Sequence, residues 1–340
     1  MALVDQHGRP MRSLRVSVTD RCNMRCEYCM PEDEYVWLPR RDILTYEEIG
    51  VLADAFLDLG VRQVRITGGE PLLRRDLERL VALLAAKPLI RDLALTTNGV
   101  LLADQARRLK EAGLPRLTVS LDTLRRDRFI RLSRVDALHR VLAGIDAACA
   151  AGFSPLKLDT VVIRGVNDDE IVALLEYARR IGAEIRFIEY MDVGGATRWS
   201  MNAVSTRREI LRVIAAHYGP AEPVVDDGAA PADRYRLPDG TQFGIISSTT
   251  EPFCDSCGRS RLTADGLWLL CLYATGSVDL HSPLRRGASA DDLRALIRHT
   301  WQQRAIRGAL ERLSAERREA YIPLSSLKKD AHLEMHTRGG

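Results

Sequence analysis

Apolar positions along the chain follow two rhythms. Leu14, Val16 and Val18 alternate with polar neighbours, the period of a half-buried strand, while residues 46–59 carry Ile49, Leu52, Ala53 and Phe56 at helical spacing. Strand patterns recur at 63–67, 92–96, 116–121, 156–163 and 184–190, with helical patterns near 75–86, 103–112, 136–151 and 168–181 between them. Strands separated by helices predict a parallel sheet wound in one sense, because a strand returning parallel to its predecessor needs a long crossover. The expected class is α/β, as an incomplete (β/α)6 barrel of the TIM type. A closed eightfold barrel and an open wound sheet are the alternatives.

After about residue 220 the rhythm breaks. Residues 219–223 and 226–231 are rich in Pro, Gly and Asp, which are loop signals. Two hairpin patterns follow, 235–237 with 243–246 around Pro238-Asp-Gly240, and 261–263 with 267–272 around Ala264-Asp-Gly266; a helix is expected near 290–313. The division drawn is residues 1–240 for the barrel and 241–340 for a smaller α+β region closing its open side.

Composition adds mainly exclusions. The 340 residues are 46% apolar and 28% charged, ordinary for a globular enzyme with a large core. The opening MALVDQHGRPMRSLRV lacks the apolar stretch of a signal peptide, and no apolar run is long enough to span a membrane, so a cytoplasmic protein is expected. A formal charge of +3, with 49 basic residues scattered among 46 acidic ones, gives no reason to expect nucleic acid.

Of the 7 cysteines, all but Cys149 fall into two clustered sets, which in a reducing compartment points to metal binding rather than cross-linking. Cys149 sits in an alanine-rich helical pattern and reads as a small buried side chain. The first set, Cys22, Cys26 and Cys29, is a CxxxCxxC triplet. Four-iron clusters normally take four thiolates, so a compact trio implies one iron left open to a small molecule. Structural zinc is the alternative, but it prefers paired CxxC or Cys/His sets, and no histidine lies near this triplet. Thr67-Gly-Gly-Glu-Pro71 follows the second strand; its glycines permit close backbone approach, and Glu70 can accept from an ammonium group, though a plain strand-to-helix turn reads the same way. Thr96-Thr-Asn-Gly99 and Ser120-Leu-Asp122 also end strands, where ligands of parallel β/α folds bind.

The triplet with Tyr28 before its last cysteine, followed by Gly68-Gly-Glu-Pro71, resembles the radical S-adenosylmethionine (SAM) enzymes. The second set, Cys254, Cys257 and Cys271, lies in Glu251-Pro-Phe-Cys-Asp-Ser-Cys-Gly-Arg-Ser-Arg261 and Cys271-Leu-Tyr273. Together with Arg186-Phe-Ile-Glu-Tyr-Met191, Arg234-Tyr-Arg236 and the final Gly339-Gly340, this closely resembles the GTP 3′,8-cyclase family of molybdenum cofactor biosynthesis over nearly the whole chain.

The resemblance implies two [4Fe-4S] clusters, one on each trio, with SAM at the first and GTP at the second. It implies SAM contacts from Tyr28, Gly68, Gly69, Glu70, Ser120 and Met191, and GTP contacts from Arg15, Arg65, Thr96, Lys157, Arg186, Arg259, Ser260 and Arg261. Arg259, Arg261, Gly339 and Gly340 take the catalytic positions. A 5′-deoxyadenosyl radical would remove hydrogen from C3′ of the ribose, and the carbon radical would close on guanine C8. A flavodoxin-like or other low-potential electron donor, the next enzyme of the pathway, cyclic pyranopterin monophosphate synthase, and a homodimer are also implied. Departures from the family pattern are Gln63 where another lysine is usual, Gly258 where Asn or Asp is common, and Thr337-Arg338 where an apolar residue usually precedes the two glycines. A peptide-modifying radical SAM enzyme and a non-enzymatic iron-sulfur sensor are the rival classes.

Overall fold

The computed structural model describes residues 3–225, 230–315 and 318–339. Part of the loop expected at 226–231, and Gly340, lie outside the described residues. Six strands fall where the alternation placed them: β1 (Ser13–Ser17), β2 (Gln63–Thr67), β3 (Asp92–Thr97), β4 (Arg116–Ser120), β5 (Lys157–Val162) and β6 (Glu184–Glu189). Each pairs in parallel with the next, giving a partial-barrel α/β architecture. On β5 and β6 every second residue is buried; the apolar side meets the helices, and the other carries Lys157, Asp159, Glu184 and Arg186.

The helices obey their local signals. Thr45 caps Tyr46–Asp58 and Thr206 caps Arg207–Tyr218, each in a reciprocal box with a glutamate three residues on. The second of these helices was not expected, nor was Arg126–Ser133, whose charged sequence buries only Phe129, Leu132 and Ser133. The helix expected near 290–313 is two, Ala290–Gln302 and Gly308–Leu313. The break turns Arg304 into the interior, where it is 2% exposed.

Downstream strands extend the same sheet from both edges. These are β7 (Glu222–Val224), β8 (Asp233–Arg236), β9 (Gln242–Ile246), β10 (Arg259–Leu262), β11 (Leu267–Leu269) and β12 (Val278–Asp279), in the order β12-β11-β10-β1-β2-β3-β4-β5-β6-β9-β8-β7. β9 lies parallel to β6 and antiparallel to β8, and the boundary drawn at residue 240 falls in the turn between β8 and β9. β10 lies parallel to β1, with Arg15 opposite Arg261. Trp268 on β11 stacks on Trp301 and meets Phe56 edge-on, joining the last long helix to the first. Because this aromatic group is fully buried, Trp268→Ala should lower stability by roughly 3–5 kcal/mol. Loss in one cooperative transition, followed by denaturant titration, is the outcome expected of a continuous sheet.

Candidate active site

The first cysteine loop leaves β1 and immediately crosses the loop after β2. Gly69 N donates to Thr19 O at 2.8 Å and Glu70 N to Arg21 O at 2.7 Å. A Cβ at residue 69 would stand 2.2 Å from Arg21 O, and one at residue 68 would stand 2.5 Å from Thr19 O. The backbone that the paired glycines admit is therefore the cysteine loop itself. Glu70 locks the crossing: its carboxylate accepts from Leu72 N (3.0 Å), Thr97 Oγ1 (2.7 Å) and Asn98 N (2.7 Å). Burial pushes its pKa up to about 7 against these donors. Burial likewise raises the thiols of this set, Cys22 to about 11, Cys26 and Cys29 further. Tyr28 donates from its hydroxyl to Asp122 Oδ2 at 2.7 Å, and burial lifts Asp122 to about 6.

The second set arrives through a different close approach. Gly258 O accepts from Arg12 N and Ser13 N, docking β10 beside β1, and a Cβ at 258 would stand 2.2 Å from Pro10 O. The glycine at this departure from the family pattern thus fits a spot with no room for a side chain. Here the surroundings are cationic. Burial opposes ionisation of Cys257, but Arg259 and Arg304 outweigh it and lower the thiol to about 7. Arg9 and Arg304, which no sequence pattern singled out, donate to the carbonyls of Cys254 (2.9 Å) and Cys257 (3.0 Å).

Both trios line one cavity of about 320 Å³. All six cysteines are free. Among the described residues, no three Cys, His, Asp or Glu side chains are grouped so as to hold a single metal ion. Tyr28, Gly68, Gly69, Glu70, Ser120 and Met191 are on the wall, as are Thr96, Arg15, Arg259 and Arg261. Thiolates are the ligands that iron-sulfur clusters take, and two trios of separate sulfurs fit that chemistry.

Not every expected contact reaches the wall. Ser260 is buried between Arg259 and Arg261 and leans on Ser13 O, the pleat that turns its neighbours inward turning its side chain away from the cavity. Arg65, Lys157 and Arg186 do not line the cavity, although Arg65 stands in register with Arg15 and Arg186 with Asp159, both of which do. Arg65 donates to Thr96 and Thr118 hydroxyls at 3.1 and 3.2 Å. Lys157 and Arg186 both engage Glu184 Oε1, at 2.9 and 3.2 Å.

The end of the described chain reaches the arginines of this chamber. Gly339 O accepts from Arg261 Nη1 at 2.6 Å and from Arg15 Nη1 at 3.5 Å. Arg338, only 2% exposed, donates to His332 O (2.6 Å) and Leu272 O (2.8 Å), while Ser17 Oγ donates to Thr337 O. The Thr337-Arg338 departure supplies anchors, since an apolar residue at 338 offers no donor for those carbonyls. His336 packs edge-on to Tyr35 and Trp37, two aromatics the sequence pattern had not flagged.

Fold and chamber together define a protein of the radical SAM class. Residues 16–178 match the Radical SAM superfamily and residues 183–309 match Molybdenum Cofactor Synthesis C. The chain is 56% identical to GTP 3′,8-cyclase 3 of Mycobacterium bovis, covering 99% of this chain and 90% of that one. It is 48% identical to GTP 3′,8-cyclase of Acidothermus cellulolyticus, covering 97% and 90%. Streptococcus suis SuiB bound to S-adenosylmethionine shares the fold, with a TM-score of 0.60 at 16% identity over 86% of this chain and 69% of that one. The chain belongs to the GTP 3′,8-cyclase family. Among the described residues no helix is long and apolar enough to cross a membrane.

The tail is tied down by a titratable group. His332 lies between Asp265 (2.7 Å) and Asp330 (3.0 Å), and the bond to Asp265 leads in raising its pKa above 6.5. A raised folded pKa means that this tie contributes fully below pH 6.5 and is lost as pH climbs through the raised value. Protection of the 335–339 amides, measured by hydrogen exchange and corrected for intrinsic rate, should fall across that window in the wild type and stay flat in His332→Gln.

Proposed function

We propose that this protein is a GTP 3′,8-cyclase, converting GTP to (8S)-3′,8-cyclo-7,8-dihydroguanosine 5′-triphosphate at the first step of molybdenum cofactor biosynthesis. The observation that carries the reading is that both cysteine trios open on the same cavity, with Arg15, Arg259 and Arg261 on its wall. Cys22, Cys26 and Cys29 hold one [4Fe-4S] cluster, and Cys254, Cys257 and Cys271 hold another. When bound, the first cluster with SAM supplies one-electron cleavage to a 5′-deoxyadenosyl radical. The rest is placement by the protein.

Tyr28, Gly68, Gly69, Glu70, Ser120 and Met191 hold SAM, with Asp122 poised by the Tyr28 hydroxyl for a sugar hydroxyl. Arg15, Arg259 and Arg261 contact the nucleotide, guanidinium forks suiting phosphate and purine oxygens alike. Thr96 joins them at the wall, whereas Arg65, Lys157 and Arg186, off the wall and already committed to hydroxyls and Glu184, act through their field. Gly339 closes the chamber on the Arg15 and Arg261 side, and Gly340 takes a catalytic role with it. Hydrogen leaves C3′, the resulting carbon radical closes on C8, and one electron and one proton complete the dihydropurine. Holding C3′ and C8 in a near-attack geometry is the main contribution of the walls. The 241–340 region closes the open side of a (β/α)6 barrel. The enzyme works in the cytoplasm as a homodimer, draws electrons from a flavodoxin-like donor and passes its product to cyclic pyranopterin monophosphate synthase.

Anaerobic reconstitution with iron and sulfide, followed by SAM, GTP and dithionite, should yield 5′-deoxyadenosine and the cyclised nucleotide. Deuterium at C3′ should appear in the deoxyadenosine. Absence of either product overturns the assignment. Arg261→Ala should lower kcat/KM for GTP roughly 10- to 100-fold, the range for losing one charged hydrogen bond.

A further inference from the structure

We infer that Asp5, Arg9 and Arg304 form a frame that positions the second cysteine set, and that the Arg304 guanidinium raises the reduction potential of the cluster held there. This rests on the reading above that Cys254, Cys257 and Cys271 hold a cluster. Two segments, residues 254–257 and the turn that carries Cys271, must be held together for those cysteines to act as one set, and the regular local structure at the first is a single 3-10 turn, Cys254–Ser256. The frame supplies the missing order. Asp5 Oδ2 accepts from Arg9 Nε and Arg304 Nη1, both at 2.6 Å, and all three side chains are almost wholly buried.

From that hub the two guanidiniums reach every cysteine segment. Arg9 Nη1 donates to Cys254 O at 2.9 Å. Arg304 Nη1 donates to Cys257 O and Nε to Leu270 O, both at 3.0 Å, the latter one residue before Cys271. Trp301 backs the hub: its ring lies 4.6 Å from the Arg304 guanidinium carbon, and its Nε1 donates to Arg9 O at 3.2 Å. A buried guanidinium without acceptors is expensive, so each of these bonds restrains both the arginine and the carbonyl it serves.

Arg304 also touches the sulfur. Its Nη2 lies 3.9 Å from Cys257 Sγ. One carboxylate between two guanidiniums leaves the hub net positive, and a charged N–H donor to a cluster sulfur stabilises the more negative, reduced form. At the first trio the corresponding donor is a neutral amide, Asn98 Nδ2 to Cys22 Sγ at 3.9 Å. Glu70 and Glu334 oppose added electron density at Cys22 and Cys29, and Arg25, which donates to Cys22 O at 3.1 Å, offsets part of this at Cys22 without a bond to its sulfur. The second cluster therefore accepts an electron more readily than the first, which suits a ligand-holding centre as opposed to one that must drive a reductive cleavage.

The test is an anaerobic redox titration of reconstituted protein, following each cluster by electron paramagnetic resonance, on wild type, Arg304→Gln, Arg304→Lys and Asp5→Asn. In wild type the second midpoint lies above the first. It should drop in Arg304→Gln and drop less in Arg304→Lys, which keeps the charge and loses the fork, while the first midpoint stays put. Asp5→Asn should lose iron selectively at the second set while SAM cleavage without GTP persists, which also reports an intact fold. A purely structural role would cut occupancy and leave the midpoint of the loaded fraction unmoved. If Arg304→Gln does not load, Arg304→Lys decides. Loaded variants with both midpoints at wild-type values overturn the inference alone. Wild-type protein that binds no second cluster overturns it together with the proposed function.

Discussion

Arg261, Arg15 and Arg65 stand side by side across β10, β1 and β2, in register on neighbouring strands. Like charges directly opposite one another destabilise a sheet, and burial adds to the cost. Desolvation first, then mutual repulsion, drives Arg15 well below the usual arginine range. Desolvation also leads in bringing Arg65 and Arg261 down to about 10. Such a row persists only where oxygen is brought to it. The chain brings some of its own, as Thr96 and Thr118 hydroxyls on one side and the Arg338 and Gly339 carbonyls on the other. A polyanionic nucleotide is the kind of guest whose binding relieves what remains.

Much of this was visible in the sequence because it rests on local periodicity. Strand alternation at Leu14, Val16 and Val18, and along β5 and β6, reports burial of one face, and motif glycines report close approach. What the glycines approach was not visible, since the partner carbonyls, Arg21 O and Pro10 O, belong to segments brought near only by folding. The helix Arg207–Tyr218 could have been found from Thr206 and Glu209, which form its capping box. Arg126–Ser133 lacks any such signal, because its helix is held by a few buried residues amid charge.

Charges were the least legible feature. Arg304 pairs with Asp5 across 299 positions, and nothing in either neighbourhood distinguishes them from the solvated majority. Ser260 is the reverse case: the motif covers three consecutive residues, and on a pleated strand its side chain lies on the face opposite those of Arg259 and Arg261. Arg259 and Arg261 are on the wall and Ser260 is not.

The continuous sheet also bears on how the protein can be taken apart. The two family segments meet between residues 178 and 183, just before β6, yet β6 is laddered to β5 on one side and β9 on the other. Severing the chain there would strip the hydrogen-bonding partner from an interior strand and leave a long unprotected edge on each fragment, a template for aggregation. Evolutionary modules recognisable in the text of this sequence are therefore not separable bodies, and shuffling either one onto another scaffold would require rebuilding the seam.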